Sequence, residues 1–374
     1  MSDVTYWKKA PYAVMIGVVA ALALVRPYHN ADMVAYIGSA IRSNDFEEIY
    51  TRTYTTLKAS VPPHHFDELT VSYSADQGVN AIRFGEIIPF YSIKPIYVLA
   101  VQVLHFFGIP FVLATVLISV LSYIGVAWLL WKWIGWLAYV VVIGPPLIGL
   151  VRYSTPDGLN LLLAMLAFWL ICERRSYFWG STILLVCVWC RTDMVILSGL
   201  VFFSLWLIKK IDVAEFGVLS ALALASYWFI NHLAGSFGWA TLFAYSFLGG
   251  GAFTPPGEAI IHVTPKIYIT TAFENLHALE LLAYTNIGLI QSGLFLFVLF
   301  AVLAIRFQED QVYRTLTLAS LTAMVVHFLC LPSPDFRYYA PMCLFQTVSF
   351  ICSVKPLEGK ISWPGWKAAM RAST

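Results

Sequence analysis

Long apolar segments alternate with short polar segments along most of the chain. Apolar runs occur near residues 10–26, 88–107, 110–131, 135–151, 156–172, 177–190, 193–208, 213–233, 285–305, 315–331 and 338–354. A helix crosses the hydrocarbon core of a bilayer with roughly 20 mostly apolar residues. The pattern therefore predicts an all-α polytopic membrane protein with roughly ten to eleven transmembrane or re-entrant helices. Several runs are short and meet at polar residues, which indicates tilted or broken helices around a cavity.

The composition supports the same fold class. Hydrophobic residues make up 59% of the 374 residues, charged residues only 12%, and the mean hydropathy is +0.74. Soluble domains carry roughly a quarter charged residues, so a soluble class is excluded. The sequence contains no P-loop, no Rossmann fingerprint, no nucleophile elbow and no basic nucleic-acid patch. We therefore expect membrane lipid, and no nucleic acid, as a partner, while the oligomeric state is left open.

The distribution of Lys and Arg predicts which ends of the helices face the cytoplasm. Lys8 and Lys9 place the N-terminus inside, where we also expect the basic loops at 173–175, 209–210 and 306–314. No small-residue cleavage site follows the first helix, so we expect it to stay attached as an anchor. The whole chain, 1–374, is then one transmembrane domain of the inner (cytoplasmic) membrane. Residues 27–87 and 234–284 form two extracytoplasmic loops, on a face that is periplasmic or its topological equivalent.

The run at 88–107 conflicts with this alternation if it spans the bilayer completely. A full span there would place Arg174 and Arg175 outside, against the positive-inside rule. Lys94 and Pro95 in "FYSIKPIY" are a poor start for a straight span. We therefore predict that 88–107 is re-entrant or lies on the outer surface.

Four acidic residues flank apolar runs, and all four fall at predicted outer ends. They are Asp32 in "HNADMVAY", Asp157 in "VRYSTPDGLN", Asp193 in "CRTDMV" and Asp335 in "SPDFRYYAP". The last three each have an arginine within five residues: Arg152, Arg191 and Arg337 respectively. Ionisable groups at a membrane border are costly unless paired or hydrated, so their default interpretation is functional. Arginine binds phosphate in a bidentate manner, and a carboxylate accepts a proton from a hydroxyl group.

Each acidic residue also has a purely structural interpretation. Asp32, with Asn30, could cap the amphipathic helix that follows it. Asp157 lies in the first turn of the next helix, where an acid complements the helix dipole. Asp193 could form a local ion pair with Arg191. For any one of these residues, the structural interpretation is at least as strong as the functional one. Four acids on one face together favour a functional site.

Two further segments carry candidate chemistry in the outer loops. The group "PHHFDE" contains His64, His65, Asp67 and Glu68, but adjacent histidines rarely share one metal ion. A divalent ion held by Asp32, a second carboxylate and a substrate phosphate is the stronger metal hypothesis. The aromatic stretch "GWATLFAYSFLGGGAFTPPGE" is either an interfacial helix with a loop or a mobile flap beside a lipid access groove. In the second case Lys266 is available for a phosphate.

Taken together, these motifs resemble the GT-C superfamily of integral-membrane glycosyltransferases, which use polyprenyl-phosphate-linked sugars. "HNADMVAY" resembles the family's first acidic motif, and "RYSTPDGLNLLLAMLAFWL" resembles its second. The resemblance implies juxtamembrane helices in the first outer loop and assigns Asp32 as the catalytic base. It implies substrate-binding roles for Asp157 and Arg152. "RTDMVILSGLVFF" and "DFRYYAPM" resemble later elements of the family, and with Lys94 they complete the candidate substrate-binding set: Arg191, Asp193, Arg337, Tyr338 and Lys94.

The resemblance implies that a sugar moves from a polyprenyl-phosphate carrier to a membrane-presented acceptor by inverting displacement. The absence of a large domain after residue 354 favours a lipid, a glycan or another acceptor at the membrane over a long peptide. Two alternatives stay open. A transporter or flippase of an amphiphilic anion would carry charges near the bilayer midplane and show repeat symmetry. A non-catalytic subunit of a membrane complex would expose a broad apolar patch on its outer loops.

Overall fold

The computed structural model describes residues 3–41, 43–72, 80–235, 238–248, 263–282, 293–333 and 335–358. This part of the chain is all helical; the only bridge between extended residues that it contains joins Tyr28 and Tyr153. The prediction of an all-α fold is confirmed. Three helical segments are long and apolar enough to cross a membrane: Phe111–Val142, Val213–Leu233 and Gln311–Cys330. A bent pair of helices makes a fourth if the pair is one span, and the described residues also contain six shorter apolar helices. The architecture is compatible with a polytopic membrane protein.

Helix α1 (Asp3–Val25) is followed by short helices in the region predicted as the first outer loop. These are α2 (Ala31–Ala40), α3 (Phe46–Ser60), α4 (Pro63–Asp67), a π-helical turn (Glu68–Ser72) and α5 (Ala81–Ser92). The backbone N–H of Met33 donates to the side chain of Asn30, which caps α2 at 3.2 Å. Met33 and Ile37 are fully buried and hold α2 in a small core with α5. The expected helices of this loop are therefore present.

The run at 88–107 is not one straight helix. Helix α5 ends at Ser92, and α6 (Pro95–Phe106) leaves it at an angle of 105°. Pro95 occupies the first turn of α6, where its missing N–H and fixed φ are tolerated. The bend is compatible with a broken span as well as with the re-entrant segment that the sequence predicts.

The apolar run at 135–151 is also divided. Helix α7 (Phe111–Ile134) continues through one 3₁₀ turn into α8 (Ala138–Val142), and α9 (Pro145–Arg152) follows. The break falls at 143–144, directly before Pro145 and Pro146, because proline does not continue a helix from the preceding residue. The apolar run at 135–151 is therefore a broken helical segment, and its first part continues α7.

The described residues contain nine further helices. They are α10 (Asp157–Cys172), α11 (Tyr177–Cys190), α12 (Met194–Leu207), α13 (Val213–Leu233), α14 (Gly238–Phe247), α15 (Pro265–Leu282), α16 (Gly293–Phe307), α17 (Gln311–Cys330) and α18 (Ala340–Glu358). Helices α10 to α13 and α16 to α18 pack together with α7 as a bundle. Phe168 stacks on Phe345 at 4.0 Å between ring centroids in the core of the bundle. A Cβ at Gly180 would come within 2.3 Å of Ile171, so glycine permits the close contact of α10 with α11.

Contacts at the two ends of the bundle show which helix ends lie together. At one end, Tyr313 accepts a hydrogen bond from the Trp133 indole and donates one to Glu173. Arg175 forms an ion pair with Asp310 beside them. The end of α7, the end of α10 and the start of α17 therefore lie together, and the side of the membrane that they face stays a prediction. The acids predicted at outer ends meet at the opposite ends of α10 and α17.

Candidate functional site

A cavity of about 450 Å³ lies where the first loop meets the ends of the bundle helices. The residues that line it come from α2, α5, α14 and α17, and from the junctions before α6, α10, α12 and α18. They are Asp32, Tyr36, Phe90, Tyr91, Ile93, Lys94, Pro156, Asp157, Arg191, Thr192, Asp193, Leu242, Ser246, Phe247, His327, Leu331, Ser333, Asp335, Arg337 and Tyr338. The volume is in the range of small-molecule binding sites, and the lining mixes charged with apolar groups.

Asp32 does not cap its own helix, because Asn30 makes that hydrogen bond. The carboxylate instead accepts from Nη1 of Arg337 at 2.5 Å and from the Tyr91 hydroxyl at 3.0 Å. Burial alone would raise the pKa of Asp32, but the guanidinium of Arg337, aided by Lys94 and Tyr91, outweighs it and holds the pKa below its usual value. Asp32 is therefore an ionised group of the cavity wall.

Arg191 organises the second set of acids. Its Nη1 forms an ion pair with Asp157, and its Nε and Nη2 donate to the two oxygens of Asp193 at 3.1 and 2.7 Å. Asp157 also accepts from the Thr155 hydroxyl at 2.6 Å. Asp157 and Arg191 are both about 95% buried, so neither charge is tolerable without the other.

His327 completes this second network from α17. Its Nε2 lies 2.9 Å from the carboxylate of Asp193, and the imidazole is 2% exposed. Nδ1 of the same ring is buried and has no hydrogen-bond partner in the part of the chain that the structure describes. With Nε2 protonated, His327 is a second donor to Asp193, and its place in the cavity wall was not anticipated from the sequence.

Each arginine of the cavity bridges two aspartates. Arg191 pairs with Asp157 and Asp193, while Arg337 pairs with Asp32 and has its Nε 2.7 Å from Asp335. The ring of Tyr338 lies between the two guanidinium groups, 4.9 Å from that of Arg191 and 5.2 Å from that of Arg337. The two networks are therefore linked by cation–π contacts through one aromatic side chain.

Lys94 differs from both arginines. Its ammonium donates to the Phe90 carbonyl at 3.2 Å and lies over the rings of Tyr36 and Tyr91, at 5.4 and 5.2 Å from their centroids. No carboxylate among the described residues forms an ion pair with it. Lys94 is thus a cation of the cavity wall that keeps its capacity to bind an anion.

The structure brings most of the predicted site residues together. Seven of them line the cavity: Asp32, Lys94, Asp157, Arg191, Asp193, Arg337 and Tyr338. Arg152 does not. It ends α9 on the outside, its Nε donates to the carbonyl of Arg26 at 3.1 Å, and its own carbonyl accepts from Tyr28. Arg152 therefore joins the start of the first loop to the bundle, and its role in substrate binding stays a prediction.

The carboxylates do not fit a divalent ion in this arrangement. All four acids that line the cavity are within ion-pair distance of a guanidinium, which leaves no pair of them free to bind a metal. In the "PHHFDE" segment, His65 lies 3.3 Å from Glu68 and its ring lies 4.2 Å from that of His64. Over the described ranges, no three His, Cys, Asp or Glu side chains converge as a metal site would require. A metal requirement stays a prediction.

The aromatic stretch at 238–247 forms part of the cavity wall. Leu242, Ser246 and Phe247 of α14 face the cavity, and the indole of Trp239 donates to the carbonyl of Cys330 at 2.6 Å. The rest of the predicted flap, 249–258, lies outside the described residues. Lys266, in the first turn of α15, is not among the residues that line the cavity.

Comparisons of this chain with protein-family models, with curated proteins and with solved structures returned no match. The assignment of a function therefore depends on the geometry of the cavity and on the chemistry of the residues around it.

Proposed function

We propose that this chain is a glycosyltransferase with a GT-C-like arrangement of ten to eleven spans or re-entrant helices, roughly as many as the apolar runs allow. It would move a sugar from a polyprenyl-phosphate carrier to a membrane-presented acceptor at the periplasmic face. One observation carries the proposal. An ionised carboxylate, Asp32, and a cation that pairs with no described carboxylate, Lys94, contact the same side chain, Tyr91, in one cavity.

The cation side of the cavity suits the phosphate of the donor. Lys94 is a compact charge with two donors besides the one that the Phe90 carbonyl accepts, and the neighbouring Arg337 adds a guanidinium. As the bond to the sugar breaks, negative charge grows on the phosphate oxygen. Preorganised cations in a partly water-excluded site stabilise that charge without reorganising. This would make polyprenyl phosphate a better leaving group.

The carboxylate side suits activation of the acceptor. Asp32 accepts the proton from the acceptor hydroxyl, whose oxygen forms a bond to the anomeric carbon from the face opposite the phosphate. The bond from that carbon to the phosphate oxygen breaks, and its electron pair leaves with polyprenyl phosphate. The configuration at the anomeric carbon is inverted. Asp32 is ionised in the resting state, so it is ready to accept the proton.

The apolar part of the lining suits a lipid carrier. Phe90 and Ile93 at one wall face Leu242 and Phe247 of α14, beside the polar groups. A site that binds a phosphate joined to an isoprenoid needs both surfaces next to each other. A flippase would need them as well, so the decisive measurement is chemical transfer and not binding alone.

The test uses the full chain in proteoliposomes with a panel of synthetic polyprenyl-phosphate sugars and membrane lipid acceptors. We expect release of polyprenyl phosphate with one sugar of the panel, and a loss of about 100-fold or more in Asp32→Asn. Asp67→Asn is the matched control, because it makes the same change at an exposed position of the same loop. Transfer at the normal rate by folded Asp32→Asn contradicts the assignment of Asp32. Movement of the donor across the bilayer without its cleavage contradicts the enzyme and favours the transporter.

A further inference from the structure

A second groove, of about 410 Å³, lies on the other side of α2. Its walls are the end of α2, one residue of α3, the exposed face of α6 and the start of α7. It is lined by Ala40, Ile41, Arg52, Leu99, Gln102, Val103, His105, Phe106 and Phe111. None of these residues lines the first cavity, so the groove is a separate site.

The floor of the groove is apolar and open. Phe106 is 84% exposed, Leu99 52% and Val103 44%, although all three are large apolar residues on one helix. Ala40, Ile41 and Phe111 close the floor beneath them and are buried. An apolar surface of this kind at the predicted outer membrane border suits acyl chains.

One fixed charge stands at the rim of the groove. Nη1 of Arg52 donates to Glu48 at 3.0 Å, one turn earlier in α3, while Nε and Nη2 have no partner among the described residues. The other polar groups of the lining are neutral or already engaged. Gln102 donates to the carbonyl of Ala40 at 3.1 Å, and Nδ1 of His105 lies 3.1 Å from the carbonyl of Ile109. No carboxylate is among the described residues that line this groove.

We propose that this groove binds one anionic glycerophospholipid. The phosphate would accept hydrogen bonds from Nε and Nη2 of Arg52, and the acyl chains would lie along Leu99, Val103 and Phe106. Amphipathic helices at a bilayer surface place basic side chains at the level of the headgroups. Helix α3 has this character, because Ile49, Thr53 and Leu57 are buried while Arg52 and Lys58 are exposed. The proposal does not depend on the function of the first cavity.

Native mass spectrometry of the purified full chain in detergent tests the site. Phosphatidylglycerol and phosphatidylcholine with identical acyl chains are the probes. We expect one retained phosphatidylglycerol, bound more tightly than phosphatidylcholine, because Nε and Nη2 of Arg52 remain as donors beside the Glu48 ion pair and no carboxylate lines the described part of the groove. Arg52→Gln should lower the affinity for the retained phosphatidylglycerol about fivefold. Lys58→Gln removes the same charge from the same helix outside the groove and should leave the affinity of that lipid unchanged.

A second variant tests the apolar floor. Val103→Trp fills the groove from an exposed position and should abolish retention of either lipid, while the thermal midpoint confirms that the protein is folded. Equal losses in Arg52→Gln and Lys58→Gln would mean diffuse surface attraction and would overturn the site. Retention of lipid by folded Val103→Trp would place the lipid elsewhere. Equal binding of both lipids by the wild type would overturn the role of Arg52.

Discussion

Arg337 lies 2.5 Å from the carboxylate of Asp32, although 305 residues separate the two along the chain. This ion pair joins the first loop to the segment between the last two described helices. It also explains why Asp32 is not a helix cap. Asn30 caps α2 and leaves the carboxylate two residues later free to enter the cavity.

The first prediction concerns Arg337. Arg337→Gln removes the partner of Asp32, so we expect a lower thermal midpoint and at least about 100-fold slower transfer. The double variant Asp32→Asn with Arg337→Gln no longer leaves a buried charge unpaired. It should recover part of the loss in thermal midpoint but none of the lost activity. Thermal unfolding and the transfer assay measure the two effects. Full recovery of activity in the double variant would contradict a catalytic role for the pair.

The second prediction concerns Lys94. Because no described carboxylate pairs with Lys94, its replacement by Gln leaves no acid unpaired, and the thermal midpoint should change little. The KM for the polyprenyl-phosphate donor should rise about tenfold or more, since a charged hydrogen bond to the phosphate is lost. Lys94→Arg should restore part of the affinity. If Lys94→Gln instead destabilises the protein strongly with an unchanged KM, the lysine is structural.

The third prediction concerns pH. The pKa of Asp32 is lowered in the folded protein, so its ion pair stabilises fully above the unfolded value of roughly 3.9 and less as pH falls through the folded pKa. The difference in thermal midpoint between wild type and Asp32→Asn should therefore be constant from about pH 8 down to about pH 5, which is still roughly one unit above the unfolded pKa. It should shrink only below about pH 4. A difference that already shrinks between about pH 7 and pH 5 would mean that the pKa is raised.

The fourth prediction concerns His327. It donates to Asp193 from a buried position, so His327→Leu should lower the thermal midpoint and slow transfer about tenfold through a misplaced Arg191. His327→Gln keeps an N–H donor and should restore much of both. Transfer rates that fall equally in the two variants would show that the ring itself, and not its hydrogen bond, is needed.

Much of this site could be predicted because the charges are rare. In a chain with so few ionisable residues, acids at the ends of apolar runs stand out, and Asp32, Asp157 and Asp193 do line one cavity. Arg152 shows the limit of that reasoning. It lies five residues before Asp157, but α9 ends at Arg152 and α10 begins only at Asp157. Nearness along the chain therefore does not fix the direction of a side chain.

Other features left weaker signals. His327 lies three residues before the end of α17 in an apolar context, where a buried histidine is common and gives no sign of its partner. Pro145 and Pro146 did mark the break before α9, and their effect on a helix was available from the sequence. The pairing of Asp32 with Arg337 is a tertiary contact between distant segments, which no local pattern reveals.

The long separation between Asp32 and Arg337 has a consequence for biosynthesis. A ribosome adds about 5–20 residues per second, so about 15 to 60 s pass between the synthesis of the two residues. During that interval the first loop has already emerged with an acid that lacks its partner. The cavity can close only after Arg337 has been translated, so a truncated product that stops before Asp335 would contain every acid of the first loop and still lack the partner of Asp32.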